Sequence, residues 1–194
     1  MNSNDIYSFA FRGLLTEEAL DKAGRKAKNN FSDDWEKKMA QRLGIDLIDE
    51  QLVIKSRKMS LVYTAISAFE NSVREFVTKK LLEEVGADWW EKCVRKDIRD
   101  KAEDRKKNEK DVRWLTPRGD SLIYYTEFDD LITIIAKPDN WKFFEVHIGT
   151  VAWAQQIITT LCKSRNIIMH SGELGTADIE RVGMYIRDWM RQVG

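Results

Sequence analysis

The sequence predicts an all-α fold. Only two prolines, Pro117 and Pro138, interrupt 194 residues rich in Glu, Lys, Leu, Ala and Arg. Alternating β-branched runs are scarce, and apolar residues recur at intervals of three and four, the spacing that lines one face of a helix. A hydrophobic fraction of 43% fills a real core, which excludes disorder as the main state.

Taken in chain order, IYSFAFRGLL (6–15) is too short for a membrane helix, which needs ~18 apolar residues, and reads as a segment that docks on the protein itself. TEEALDKAGRKAKNN (16–30), SDDWEKKMAQRLG (32–44) and IDLIDEQLVIKSR (45–57) read as three short helices divided by Asn, Ser, Asp and Gly. Together they make an N-terminal helical extension over 1–57, ahead of a bundle domain over 58–194. From Ser60 to Gly86, Val62, Ile66, Phe69, Val73, Phe76 and Val77 mark a core helix with Gly86 as its stop. Asp88 is placed to cap the next helix, 89–114, which begins apolar and becomes heavily charged and wet.

LTPRGDS (115–121) is turn chemistry, and LIYYT after it has extended character. Thr126 is expected to cap the helix EFDDLITIIA, Pro138 to break the pattern, and NWKFFEVHI to form another short helix. In the last helix, behind Thr176 as the expected N-cap, Ile179, Val182, Ile186, Trp189 and Val193 repeat every three or four residues. In the helix before it, Val151, Ala154, Ile158 and Leu161 keep the same rhythm, and the next slot is Arg165. An arginine continues a buried stripe.

Thirty-two Lys and Arg balance 32 Asp and Glu, so no overall field draws the chain to nucleic acid or an anionic membrane. Cys93 and Cys162 are lone thiols without metal-ligand spacing, and no secretory leader opens the sequence. A reduced, cytoplasmic protein is expected, away from membranes, with no cofactor and no metal. There is also no phosphate-binding glycine loop and no serine nucleophile motif.

The chemistry concentrates in CKSRNIIMHSG (162–172), which holds one of only two histidines. A guanidinium in an apolar slot is costly unless oxygens satisfy its donors, because it cannot shed its proton. Arg165 and His170 stand about 140° apart on an ideal helix, whereas Asn166 and His170 share a face. Ser171 and Gly172 suggest an ending, with the glycine supplying the left-handed turn. The residues alone allow two readings: a helix-ending polar cluster, or a kit for transferring an RNA phosphodiester onto its own 2′-hydroxyl. The second needs a base, a cation for the phosphorane and an acid for the departing 5′-oxygen. One imidazole per chain serves poorly as both base and acid, and a two-fold axis would bring a second His170. His147, beside aromatics in FFEVHIG, reads as structural.

RNIIMH resembles the R-N-x-x-x-H signature of the HEPN superfamily. These are helical-bundle proteins, many of them metal-independent endoribonucleases that pair through the motif-bearing helices. AISAFENSVREFV (65–77), IYYTEF (123–128) and SRNIIMHSG (164–172) are similar to a branch shared by a nuclear mRNA-surveillance endonuclease and bacterial proteins often associated with phage defence. The resemblance covers roughly 58–194. It implies an HEPN-type bundle, RNA as partner, a homodimer, Arg165 and His170 as the catalytic pair, and Asn166 as the adjoining polar position. An acidic residue on an earlier helix is common in such proteins, and Glu70 in FENSVREF fills that place. Independently, Glu70 lies at the edge of its helix's apolar stripe, where it can receive Arg165, and four residues before Arg74. Toxin members controlled by nucleotide addition usually carry a tyrosine two residues before the histidine. Ile168 stands there in this chain, so that control loses support.

Residues 91–113 hold ten Lys or Arg against seven Asp or Glu. A solvated helix face accounts for them. Alternatively Arg113, Trp114, Arg118 and Tyr124 guide a phosphate backbone and stack on unpaired bases. The functional expectation is an endoribonuclease leaving a 2′,3′-cyclic phosphate and a 5′-hydroxyl, in phage defence or toxin-type RNA degradation. The alternatives are an inactive module that binds RNA or dimerises, and an effector that waits for a partner protein or a nucleotide activator.

Overall fold

The computed structural model describes residues 33–194. The segment 6–15 and the helix expected at 16–30 lie outside these residues. The chain divides between Val53 and Ile54 into two compact units.

In the first unit, α1 (Asp33–Arg42) falls within the expected 32–44, and Gly44, with φ 62°, turns the chain behind it. A 3₁₀ turn (Ile45–Leu47) follows. Asp49 Oδ1 then accepts the backbone N–H groups of Gln51 (2.9 Å) and Leu52 (3.3 Å), an N-cap that starts α2 (Glu50–Val85).

This helix corrects an expectation. Instead of one helix ending at 57 and another starting at Ser60, α2 runs without interruption for 36 residues, about 54 Å at 1.5 Å per residue. No glycine or proline separates the two stretches. The Ser60 hydroxyl donates back to the Arg57 carbonyl (2.7 Å) within the helix, and Met59 is buried. Gly86, with φ 83°, ends the helix as expected.

In the second unit, α2 is the spine. Ile66, Val73, Val77 and Leu81 have no exposed surface, and each such burial contributes about 1.5–3 kcal/mol. Around it lie α3 (Trp89–Cys93), α4 (Lys96–Asp111), a 3₁₀ turn (Leu122–Tyr125), α5 (Phe128–Ala136), α6 (Pro138–Ile148), α7 (Val151–Met169) and α8 (Thr176–Val193). No strand occurs among the described residues. Phe69 meets Phe128 and Trp189 edge-on at 6.1 and 5.5 Å, so α2 interlocks with α5 and α8, while Trp153 of α7 stacks on Trp189 at 5.6 Å. The α7 helix packs between α5 and α8.

Further departures have local causes. The helix expected over 89–114 breaks at Val94 and Arg95, both extended. Trp90, Val94, Ile98 and Ala102 are all buried, yet a four-residue repeat drifts about 40° per step on one straight helix. The break resets the face. Asp88 sits at the α3 N-cap position but sends its carboxylate to Lys92 (3.2 Å). LIYYT is helical, not extended, because the turn buries Ile123 and Tyr125 on α4.

Thr126 donates its hydroxyl to Ile123 O (2.8 Å), leaving Glu127 as the N-cap of α5, with its N–H bonded to Asp130 Oδ2 (2.8 Å). Pro138 stands at the first position of α6, where its missing N–H has no helical partner to lose. Gly175, not Thr176, caps α8. None of the helices among the described residues is long and apolar enough to cross a membrane.

Candidate functional site

Arg165 reaches α7's inner face as its place in the apolar series requires, between buried Leu161 below and the helix end above. Its Nη1 donates to both oxygens of Glu70, at 3.0 and 2.8 Å. Glu70 Oε1 also accepts from Arg74 Nη2 at 2.5 Å. Arg74 is fixed in turn: its Nε donates to Ile123 O (3.3 Å), Nη2 to Thr126 O (3.2 Å) and Nη1 to Asn71 Oδ1 (3.2 Å). One buried carboxylate thus ties α7 to α2, and α2 to the loop ahead of α5.

A second carboxylate faces the same arginine. Glu127 Oε2 stands 3.8 Å from Arg165 Nη2, and Glu127 Oε1 is 2.8 Å from Arg105 Nη2, whose Nη1 donates to Tyr125 O (2.7 Å). Arg105, Glu127, Arg165, Glu70 and Arg74 form an alternating series with one positive charge in excess. Sequence reading found Glu70 and Arg74 but missed Glu127 and Arg105. Its only trace was the TEF of IYYTEF, next to the position expected to cap α5.

Burial by itself lowers the Arg165 value, but the charge and hydrogen bond of Glu70 more than offset this and hold the guanidinium charged. Its Nε is buried without a hydrogen-bond partner, while the side chain retains 20% exposure through its other edge. Nη2 also donates to Asn166 Oδ1 at 3.4 Å, so the amide beside the arginine touches the outward edge. Nearby, burial and the Asp129 charge push the Cys162 thiol up, with Arg165 acting in the opposite sense. Burial also raises Asp130, which the Glu127 N–H partly counteracts.

His170 is the C-cap of α7 and is exposed. The helix ends in a Schellman arrangement: Gly172 N–H donates to Ile167 O (2.8 Å) and Ser171 N–H to Ile168 O (2.9 Å). Ser171, with φ 61°, supplies the left-handed residue, not Gly172 as expected. Gly172 is needed for another reason. A Cβ there would stand 2.8 Å from the Ile167 carbonyl oxygen. Asn166 and His170 share the outer face of the last turn, and His170 N–H donates to Asn166 O (3.1 Å). Within the chain Arg165 turns inward to Glu70 while His170 stands at the surface, so the structure brings Arg165, Asn166 and Glu70 together and leaves His170 one turn beyond them.

The expected RNA-binding residues divide. Trp114 is 83% exposed and Arg113 is exposed. Arg118 is engaged, with its Nε 2.7 Å from Glu109 Oε1 and its guanidinium over the Tyr125 ring. Tyr124 packs on Gly119, whose missing Cβ makes room for the ring. His147 meets Phe76 edge-on at 5.8 Å, the structural placement expected for it. Among the described residues no group of three or more His, Cys, Asp or Glu is arranged to hold a metal ion.

A family model described as Swt1-like HEPN matches residues 64–194, more than half of the chain and a span that contains every residue of the charged series. No curated protein matches the chain, and no solved structure does.

Proposed function

The chain belongs to the Swt1-like HEPN family, and from that premise we propose that it is a metal-independent endoribonuclease acting by 2′-hydroxyl transesterification. The HEPN superfamily is associated with RNA-directed nuclease activity. The 2′-oxygen loses its proton and attacks phosphorus, the P–O5′ bond breaks, and the 5′-oxygen leaves protonated, giving a 2′,3′-cyclic phosphate and a 5′-hydroxyl. DNA, lacking the hydroxyl, is not a substrate.

The observation that carries this function is the state of Arg165. It is fixed through Nη1 on a buried carboxylate, held charged, and open along the edge that meets Asn166. A cation fixed before substrate arrives stabilises the phosphorane without reorganising, and one such donor is worth about 10²–10³ in rate. His170 serves in proton transfer, Asn166 in orientation or phosphate contact, and Glu70 in holding Arg165. Two protomers pair through α7 and α8, and twin His170 side chains attend the scissile phosphates. The cleavage serves phage defence or toxin-type RNA degradation, supported by the resemblance of 58–194 to defence-associated bacterial proteins.

One observation favours a second function. Engagement of both Glu70 oxygens by a single nitrogen of Arg165 is also what a purely structural clamp between α2 and α7 requires. The module would then bind RNA or dimerise without cutting. His170→Ala separates the two, because His170 is exposed and outside the clamp. In EDTA, wild type should cut single-stranded RNA and H170A should not, with equal RNA affinity, equal mass in solution and unchanged circular dichroism. H170A that cuts as well as wild type refutes the mechanism.

A further inference from the structure

Two protons move in the transesterification and each protomer offers one imidazole at the motif. Pairing of protomers supplies one solution, and the charged series supplies another inside a single chain. Two carboxylates face Arg165, and their surroundings differ. The Glu70 side chain is 7% exposed, and its oxygens accept from Arg165 and Arg74. It cannot reach a substrate hydroxyl. The Glu127 side chain is 48% exposed, and its Oε2 approaches Arg165 Nη2 at 3.8 Å, within ion-pair range but beyond a hydrogen bond. Its other oxygen is steered by Arg105 at 2.8 Å, and the Glu127 N–H is held by Asp130. Glu127 is therefore anchored, open to solvent and beside the guanidinium edge that a phosphate would occupy.

Resting on the ribonuclease function proposed above, we propose that Glu127 is the general base of the reaction and that His170 of the same site is its general acid. The Glu127 carboxylate takes the 2′-hydroxyl proton, the O2′–P bond forms as Arg165 neutralises the phosphorane, and the P–O5′ bond breaks as the imidazolium gives its proton to O5′. Exchange with water then returns Glu127 to its anion and His170 to its cation. In-line displacement needs base and acid on opposite sides of phosphorus. Glu127 faces Arg165 from the N-cap position of α5, and His170 stands at the C-cap of α7, five residues along the chain from Arg165. The charged or titratable groups around Glu127 are Arg105 from α4, Arg165 and Cys162 from α7, and Asp129 and Asp130 from its own helix. The two arginines stand 2.8 Å and 3.8 Å from its oxygens, one on each.

The test uses the full chain, an RNA oligonucleotide of ordinary linkage, and the same oligonucleotide with sulfur in place of the bridging 5′-oxygen at one site. A thiolate departs without protonation, so this substrate bypasses the acid and still needs the base. On ordinary RNA both Glu127→Gln and His170→Ala should lose about 10²–10⁴-fold in kcat, the usual span for a missing acid or base. On the sulfur-bridged RNA, H170A should return to within a few-fold of wild type while E127Q stays slow. E127Q should also lose the acid limb of the kcat/KM pH profile, which a displaced but intact base would keep, and Glu127→Asp should recover it in part.

If H170A stays inactive on the sulfur-bridged RNA, the imidazoles supply the base and Glu127 does not. If E127Q cuts at the wild-type rate with its acid limb intact, the assignment is likewise overturned. Wild type that leaves both RNAs intact overturns the nuclease function itself, and the base assignment with it.

Discussion

Glu70→Gln removes one charge and almost no volume, so its cost is electrostatic. The side chain is 7% exposed and accepts from two guanidiniums whose own side chains are 10% and 20% exposed. In E70Q the amide oxygen still serves one arginine, but the NH₂ group turns a donor toward the other. Breaking a buried ion pair from one side costs about 3–5 kcal/mol, because the remaining charge stays buried without its partner. Arg74 keeps the Ile123 and Thr126 carbonyls, and Arg165 keeps some access to water. The lower end applies, about 3 kcal/mol, against a total stability of roughly 5–15 kcal/mol.

Urea unfolding of wild type, E70Q, Arg165→Met and the double variant measures this. The double variant should be less damaging than the sum of the singles by about 0.5–3 kcal/mol, the coupling expected of residues in one network. E70Q within 1 kcal/mol of wild type, or strict additivity, would show that Glu70 does not hold Arg165 in solution.

Two other expectations concern the ends of α7 and α5. Ser171→Gly should raise stability by up to about 1 kcal/mol, since a left-handed L-residue costs about 1–2 kcal/mol and glycine returns part of that gain as chain entropy. Gly172→Ala should lower it by about 1–3 kcal/mol through crowding against Ile167. Urea midpoints in the reverse order would refute the C-cap geometry. Asp130 is an acid raised above its ordinary value by burial. The native state therefore binds more protons than the unfolded chain between the two values, and stability is highest below the unfolded value and falls as pH rises through the folded one. Asp130→Asn keeps an oxygen to accept the Glu127 N–H, so it should flatten that decline and be the more stable protein at neutral pH. An unchanged pH profile of the urea midpoint would count against it.

Much of the bundle is legible along the chain because helices announce themselves locally. The series Val151, Ala154, Ile158, Leu161 and Arg165 identified an arginine that needs a partner, and the resemblance pointed to Glu70, whose edge position allowed it to be that partner; the structure joins them at 2.8 Å. Gly86 and Pro138 mark ends by backbone chemistry that holds in any fold. Misreadings fell where burial overrode local preference. Thr126 has the composition of a cap, yet its hydroxyl donates back to the carbonyl at i−3 in place of starting a helix. LIYYT has strand composition, and burial of Ile123 and Tyr125 on α4 makes it a 3₁₀ turn.

Periodicity and the R-N-x-x-x-H spacing depend on residues within two turns of each other, which is why the all-α class, stripe direction and the arginine's need for an oxygen partner could be read from composition and order. Which second carboxylate faces that arginine is a different kind of fact. Glu127 reaches Arg165 and Arg105 only because α5 packs on α7 while α4 packs on the 3₁₀ turn just ahead of α5. No spacing rule links positions 105, 127 and 165. Their proximity is set by how side chains from separate helices fill one core, a collective solution that a single chain segment does not contain.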